Sequence, residues 1–192
     1  QEAKLKADTR SGQNIRAVGS QIQKGQLVLE HGSRLTPASI GLMASLGIET
    51  VSVYQKPSVA IVVTGNELVP LGETKNEVQV YESNSLALQA ALEGLDLKVE
   101  TILFASDDPD QTVTQLAKAL HTADLVLISG GISVGDYDYV ADALKTIEVD
   151  PVFYTVRQKP GKPLFFGKKG EQAVFALPGN PASTLTCFYV YV

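Results

Sequence analysis

"VAIVVTG" (59–65) decides how this chain is read. Val59 to Val63 are apolar without alternation and mostly β-branched, and Gly65 closes the run. That pattern marks a strand covered on both faces rather than on one. "DLVLISGG" (124–131) and "AVFALPG" (173–179) repeat it. Working outward, "NSLALQAALEGLDL" (84–97), "DPDQTVTQLAKALHTA" (108–123) and "DYVADALKTI" (138–147) carry helical spacing. "KVETILFAS" (98–106), "PVFYTVRQ" (151–158) and "PLFFG" (163–167) read as further strands, and "PASTLTCFYVYV" (181–192) starts a helix. Doubly covered strands alternating with helices predict a three-layer α/β/α sandwich with a mostly parallel sheet over residues 57–192.

Residues 1–56 have a different texture. They hold short strand-like pieces such as "QLVLEHG" (26–32) and one helical stretch, "TPASIGLMASLG" (36–47). There Thr36 is the expected N-cap, Pro37 the first helical residue and Gly47 the stop. The Lys56–Pro57 step reads as the boundary. The last residues stay apolar, with no cap or polar tail, as expected of a cut through a longer protein.

Bulk properties narrow the function. A net charge of −5 over 192 residues argues against a general nucleic-acid binder, whose footprint would be basic. No apolar run is long enough to span a membrane, and no signal-peptide core is visible. The single cysteine, Cys187, excludes an internal disulfide framework and favours a reducing compartment, so the expected location is cytoplasmic. Cys187 lies in "LTCFYVYV" and reads as a buried small hydrophobe. His31 and His121 lack zinc spacing.

Three strand ends share one design: Thr64-Gly65-Asn66-Glu67, Ser129-Gly130-Gly131 and Pro178-Gly179-Asn180. Ligands of open α/β sheets gather beyond the carboxyl ends of the strands, and glycine there admits close backbone approach. Backbone N–H groups at such turns favour an anion. Acids stand beside them: Glu67 after the first turn, Asp136 and Asp138 after the second, and Asp107 and Asp108 after "LFAS". Carboxylates near a bound phosphate suit Mg²⁺, which keeps few protein ligands. The same aspartates are also good helix caps. In "QKPGKPLFFG" (158–167), Lys159 and Lys162 flank Pro160-Gly161 and form a stiff basic turn suited to an oxyanion. In "YESNSLAL" (81–88), Ser83 or Asn84 either caps the following helix or bonds a ligand.

Together, "VVTGNELV", "YESNSLAL", "SGGISVGDYDYV", "KPGKPLFFG" and "LPGNPAST" resemble the molybdopterin molybdenumtransferase family, also called the MoeA/gephyrin E-domain family. The resemblance implies insertion of molybdate into adenylylated molybdopterin with release of AMP, assisted by Mg²⁺. It implies metal ligation by Glu67, Asp108 and Asp138, and catalytic roles for Glu67, Asp138, Lys159 and Lys162. It implies substrate contacts from Thr64, Gly65, Ser83, Asn84, Ser85, Gly130, Gly131, Ser133, Gly135, Pro178, Gly179, Asn180 and Ser183. It also implies a homodimer in the full-length protein, with an elongated N-terminal domain and a C-terminal β-barrel beyond this chain. Asn66 departs from the family's usual Asp. Two alternatives stay open: a molybdopterin adenylyltransferase-type domain, and a gephyrin-like scaffold module.

Overall fold

A computed structural model describes residues 10–132 and 139–192 of the chain, which divides into two compact units, 1–54 and 55–192. In the first, α1 (Pro37–Ser45) begins with a reciprocal cap. The Ser39 amide donates to Thr36 Oγ1, and the Thr36 amide donates to Ser39 Oγ. Pro37 occupies the first turn, where its missing N–H is no loss. The expected strand at 26–32 is absent. Hydrogen-bonded turns at Gln23–Gln26 and Glu30–Ser33 flank the apolar trio instead, and Leu27 is exposed. No strand lies among described residues 10–54, so this short segment has nothing within its unit to pair with.

The second unit is built on a sheet of order β4-β1-β5-β8-β7-β6. Its strands are β1 (Val59–Thr64), β4 (Val99–Ala105), β5 (Leu125–Ser129), β6 (Asp150–Thr155), β7 (Pro163–Lys169) and β8 (Gln172–Leu177). β4, β1, β5 and β8 run parallel, while β7 pairs antiparallel with both β8 and β6. A short parallel pair, β2 (Leu68–Val69) with β3 (Val80–Tyr81), forms a separate ladder that the sequence pattern did not signal. The helices are α2 (Asn84–Glu93), α3 (Pro109–Thr122), α4 (Tyr139–Thr146) and α5 (Pro181–Tyr191).

Strand periodicity explains the unbroken apolar runs. Ala60, Val62, Val126, Ile128, Val174 and Ala176 join a cluster with Leu116, Ala119, Val140 and Leu144 of α3 and α4. Val59, Ile61, Val63, Leu125, Leu127, Phe175 and Leu177 join the opposite cluster, with Leu88 and Leu92 of α2 and Phe188 of α5. Alternate residues of one strand thus feed two cores, giving three layers. α2 stops at Glu93, four residues short of the predicted end, where Gly94 begins a turn that places Asp96 at φ 59°.

Registry sets the working edge. Thr64 pairs with Ala105, Val63 with Ser129, and Ser129 with Leu177, so four parallel strands end level. Thr155 pairs with Pro163, and Phe165 with Ala176, which places the β6–β7 hairpin on that same edge. At the other end Asp124 clasps Ser58, accepting from its amide at 2.8 Å and its hydroxyl at 2.6 Å. These bonds, first from the hydroxyl and then from the amide, hold the Asp124 carboxyl below its ordinary range.

Candidate functional site

The strand ends are tied to one another by side chains. Asn84, at the start of α2, donates through Nδ2 to Ser129 Oγ and to the Gly179 carbonyl, both at 2.8 Å. One amide therefore joins three turns far apart in the chain. Asn84 Oδ1 is buried without a partner among the described residues, an acceptor suited to a ligand N–H or O–H or to a water. Thr64 Oγ1 donates to the Ser129 carbonyl at 3.4 Å, and the Gly130 amide donates to the Leu177 carbonyl at 3.2 Å.

Ser83 stands at the N-cap position of α2 but makes no capping bond. Glu82 performs that work. Its carboxylate accepts from the Ser85 amide at 2.8 Å and from the Ser85 hydroxyl at 2.5 Å, and both residues are buried. Ser85 is thus engaged within the protein. The sequence reading missed Glu82, and it placed Ser129 in a strand-end turn without giving its side chain a role. Strand alternation pointed to Ser129, since it follows Leu125 and Leu127 on the face toward α2. Glu82 had a weaker signal, an acid just ahead of the helix.

Gly130 and Gly131 have positive φ and lie hard against Thr64. A Cβ on Gly131 would fall 2.6 Å from Thr64 Oγ1 and 2.4 Å from Val140 Cγ2. The glycines let neighbouring loops close on one another, a packing reason that precedes any ligand.

The two aspartates after β4 separate in role. Asp108 Oδ1 accepts from the Gln111 amide at 2.8 Å and caps α3. Asp107 reaches the β1 turn: its Oδ2 accepts from the Asn66 amide, and its own amide donates to Asn66 Oδ1, both at 3.1 Å. Asn66 and Asp107 thus clasp β1 to β4, and the acid at the turn is Asp107 rather than Asp108. The exposed Glu67 carboxylate folds over Gly65 and has no hydrogen-bond or ion-pair partner among the described residues. Ser133, Gly135, Asp136 and Asp138 lie outside the described residues.

The basic hairpin is braced by α5. Gln158 Nε2 donates to the Pro160 carbonyl at 2.8 Å, and Tyr191 Oη donates to Gln158 Oε1 at 3.0 Å. The Val156 amide donates to the Lys162 carbonyl at 3.0 Å. Gly161, at φ +97°, is so close to α5 that a Cβ would meet Cys187 Sγ at 2.5 Å and the Ser183 carbonyl at 3.8 Å. Cys187 is buried, which pushes its thiol up, in keeping with the reading as a small hydrophobe. Asn180 caps α5 by accepting from the Ser183 amide at 3.2 Å, and the Ser183 hydroxyl turns to the same oxygen at 3.4 Å. Lys159 and Lys162 line an open concavity of about 630 Å³ with Thr155, Val156, Arg157 and Gln158.

A divalent cation can be tested against these donors. Among the described residues no group of three or more His, Cys, Asp or Glu converges as a metal cage. Among the described carboxylates at the edge, Glu67 has no protein partner. That fits Mg²⁺, which takes one or two carboxylates and draws further ligands from substrate phosphate and water.

Comparison with known proteins agrees with this architecture. Residues 60–192 match the family described as "Probable molybdopterin binding domain", and residues 1–47 match "MoeA N-terminal region (domain I and II)". A molybdopterin molybdenumtransferase of Haemophilus influenzae is 39% identical over 94% of this chain and 44% of its own length. One from Staphylococcus aureus is 31% identical over 94% of this chain and 43% of its own length. The crystal structure of a molybdopterin biosynthesis moeA protein from Pyrococcus horikosii superposes with a TM-score of 0.68 at 35% identity, covering 89% of this chain and 42% of that one. The chain therefore spans less than half the length of these curated relatives. With a level edge of tied strand-end turns and a family match over residues 60–192, the chain belongs to the molybdopterin-binding domain family.

Proposed function

We propose that this chain is the pterin-binding portion of a protein that inserts molybdate into adenylylated molybdopterin and releases AMP. Residues 57–192 are the binding domain in this reading, and residues 1–56 belong to a linker domain. The observation that carries it is the braced hairpin, which presents Lys159 and Lys162 on the same sheet edge as the turns at Thr64–Glu67, Ser129–Gly131 and Pro178–Asn180. Molybdate is a compact dianion, and two ammonium groups on a stiff turn bind it with little ordering cost.

The remaining groups divide the work. Asn84 Oδ1 accepts a hydrogen bond from the pterin or its nucleotide, while its Nδ2 keeps three turns in register. Gly130, Gly131 and Gly179 bring backbone to the ligand. Ser183 lies in the first turn of α5, behind the hairpin. Glu67 and Asp138 are the proposed ligands of Mg²⁺, and Asp108 is left to its helix. When bound, the ion would neutralise charge on the phosphoanhydride oxygens. A homodimer and a cytoplasmic location complete the proposal. No helix among the described residues is long and apolar enough to cross a membrane.

The test is AMP release by the full-length protein given adenylylated molybdopterin, molybdate and Mg²⁺. Glu67→Gln and Asp138→Ala should each abolish it while leaving the thermal unfolding midpoint near that of the wild type. Normal turnover in either variant would sink its assigned role. Adenylylation of molybdopterin with ATP, without molybdate insertion, would instead favour the adenylyltransferase reading.

A further inference from the structure

The hairpin groove holds a third cation that the basic motif does not include. Arg157 lines the concavity with Lys159 and Lys162, and all three side chains are exposed. None has an ion-pair partner among the described residues, where the ion pairs are Lys56–Asp96 and Lys98–Glu100. Three unneutralised cations around one concavity are conspicuous in a chain of net charge −5. The groove is also held in shape from behind, by Gln158 on Tyr191 and by Gly161 against Cys187. A solvated basic turn needs no such bracing.

We propose that Arg157 is a further anion-binding residue of this groove and that it orients the tetrahedral oxyanion bound there. This rests on the reading given under Proposed function. The guanidinium brings what the lysines lack. It is planar, permanently charged and able to donate two parallel hydrogen bonds to neighbouring oxygens of one tetrahedral group. The ammonium groups supply charge without that fork. Arg157 therefore sets the geometry of the bound oxyanion, while Lys159 and Lys162 set its charge. The shared chemistry has two sources, free molybdate and the phosphate of the nucleotide-bearing substrate.

The experiment is calorimetric titration of the full-length protein with molybdate alone and, separately, with AMP, for wild type, Arg157→Gln, Arg157→Lys, Lys159→Ala and a Lys168→Gln control on the exposed far end of β7. Arg157→Gln should weaken molybdate binding by about tenfold or more, the scale of one lost charge-assisted pair. Arg157→Lys should recover only part of it, and Lys168→Gln should match wild type. A loss confined to AMP would assign the groove to substrate phosphate and still place Arg157 on an oxyanion. Arg157→Gln binding both ligands as wild type, with Lys159→Ala impaired, would overturn the role of Arg157 and leave the wider reading standing. Wild type binding neither ligand would overturn both. Circular dichroism spectra identical to wild type establish that each variant is folded.

Discussion

Gly131 shows how a single residue links packing to the site. Its φ of +68° is costly for any residue with a side chain, and the added Cβ would strike Val140 and Thr64. Gly170 has a similar φ, +59°, with nothing within 4 Å of the added carbon. Gly170→Ala should therefore report the backbone cost alone, about 1–2 kcal/mol. Gly131→Ala should cost about 1–3 kcal/mol more, from overpacking. Urea denaturation of both variants measures the difference, and equal losses would show that Thr64 and Val140 yield freely to the added carbon. Cys187 offers a second check at this scale. Buried, with its thiol pushed up, it should resist alkylation in the native protein and react promptly in denaturant. Rapid modification under native conditions would contradict its packing against Gly161. The sequence marks the strand-end glycines as positions expected to face a ligand. The closeness of Gly130 and Gly131 to Thr64, and of Gly161 in the hairpin to Cys187, was not legible, because each depends on a residue from another strand or helix.

At the scale of elements, the strands and helices of the α/β unit were largely legible. Doubly covered strands announce themselves by unbroken apolar runs, and α3 by its Asp-Pro start. The edge where the parallel strands end was legible too, since "TGNEL", "SGG" and "LPGN" each follow a parallel strand. What escaped was partner choice among polar groups. Several residues around Ser83 can cap α2, and only the fold shows that the Glu82 carboxylate reaches Ser85. Likewise Pro109 in "ASDDPD" marks Asp108 as the cap of α3, but nothing there shows that Asp107 turns to Asn66. The expected strand at 26–32 failed because local apolar character cannot create a pairing partner. At the opposite end of the sheet, Asp124 gives a pH test. Its folded pKa lies below the ordinary value of about 3.9, so its stabilising contribution is complete above that pH. It fades as pH falls through the folded value. Asp124→Asn should thus unfold at a lower temperature than wild type at pH 7, and the two should converge in stronger acid. A gap that persists unchanged at pH 2 would mean that the carboxylate's charge is irrelevant to the clasp.

The molecule as a whole divides at Tyr54–Gln55 into two compact units. Residues 49–57 are exposed and carry no regular structure. Limited chymotrypsin treatment should cut after Tyr54 and leave an α/β fragment with a cooperative unfolding transition. Fragmentation inside 59–129 at the same rate would argue against an autonomous sheet. Within that unit, the Asn84 amide reaches Ser129 and then Gly179, and β8 sits between β5 and β7. The strand that completes the edge is thus supplied close to the end of this segment. During synthesis, a nascent chain halted before β8 would hold the first two turns and lack both the third and its neighbour, the basic hairpin's pairing strand. Under the proposed function, ligand capture would wait until β8 has left the ribosome, and a product truncated before β8 would lose the pterin outright rather than bind it weakly.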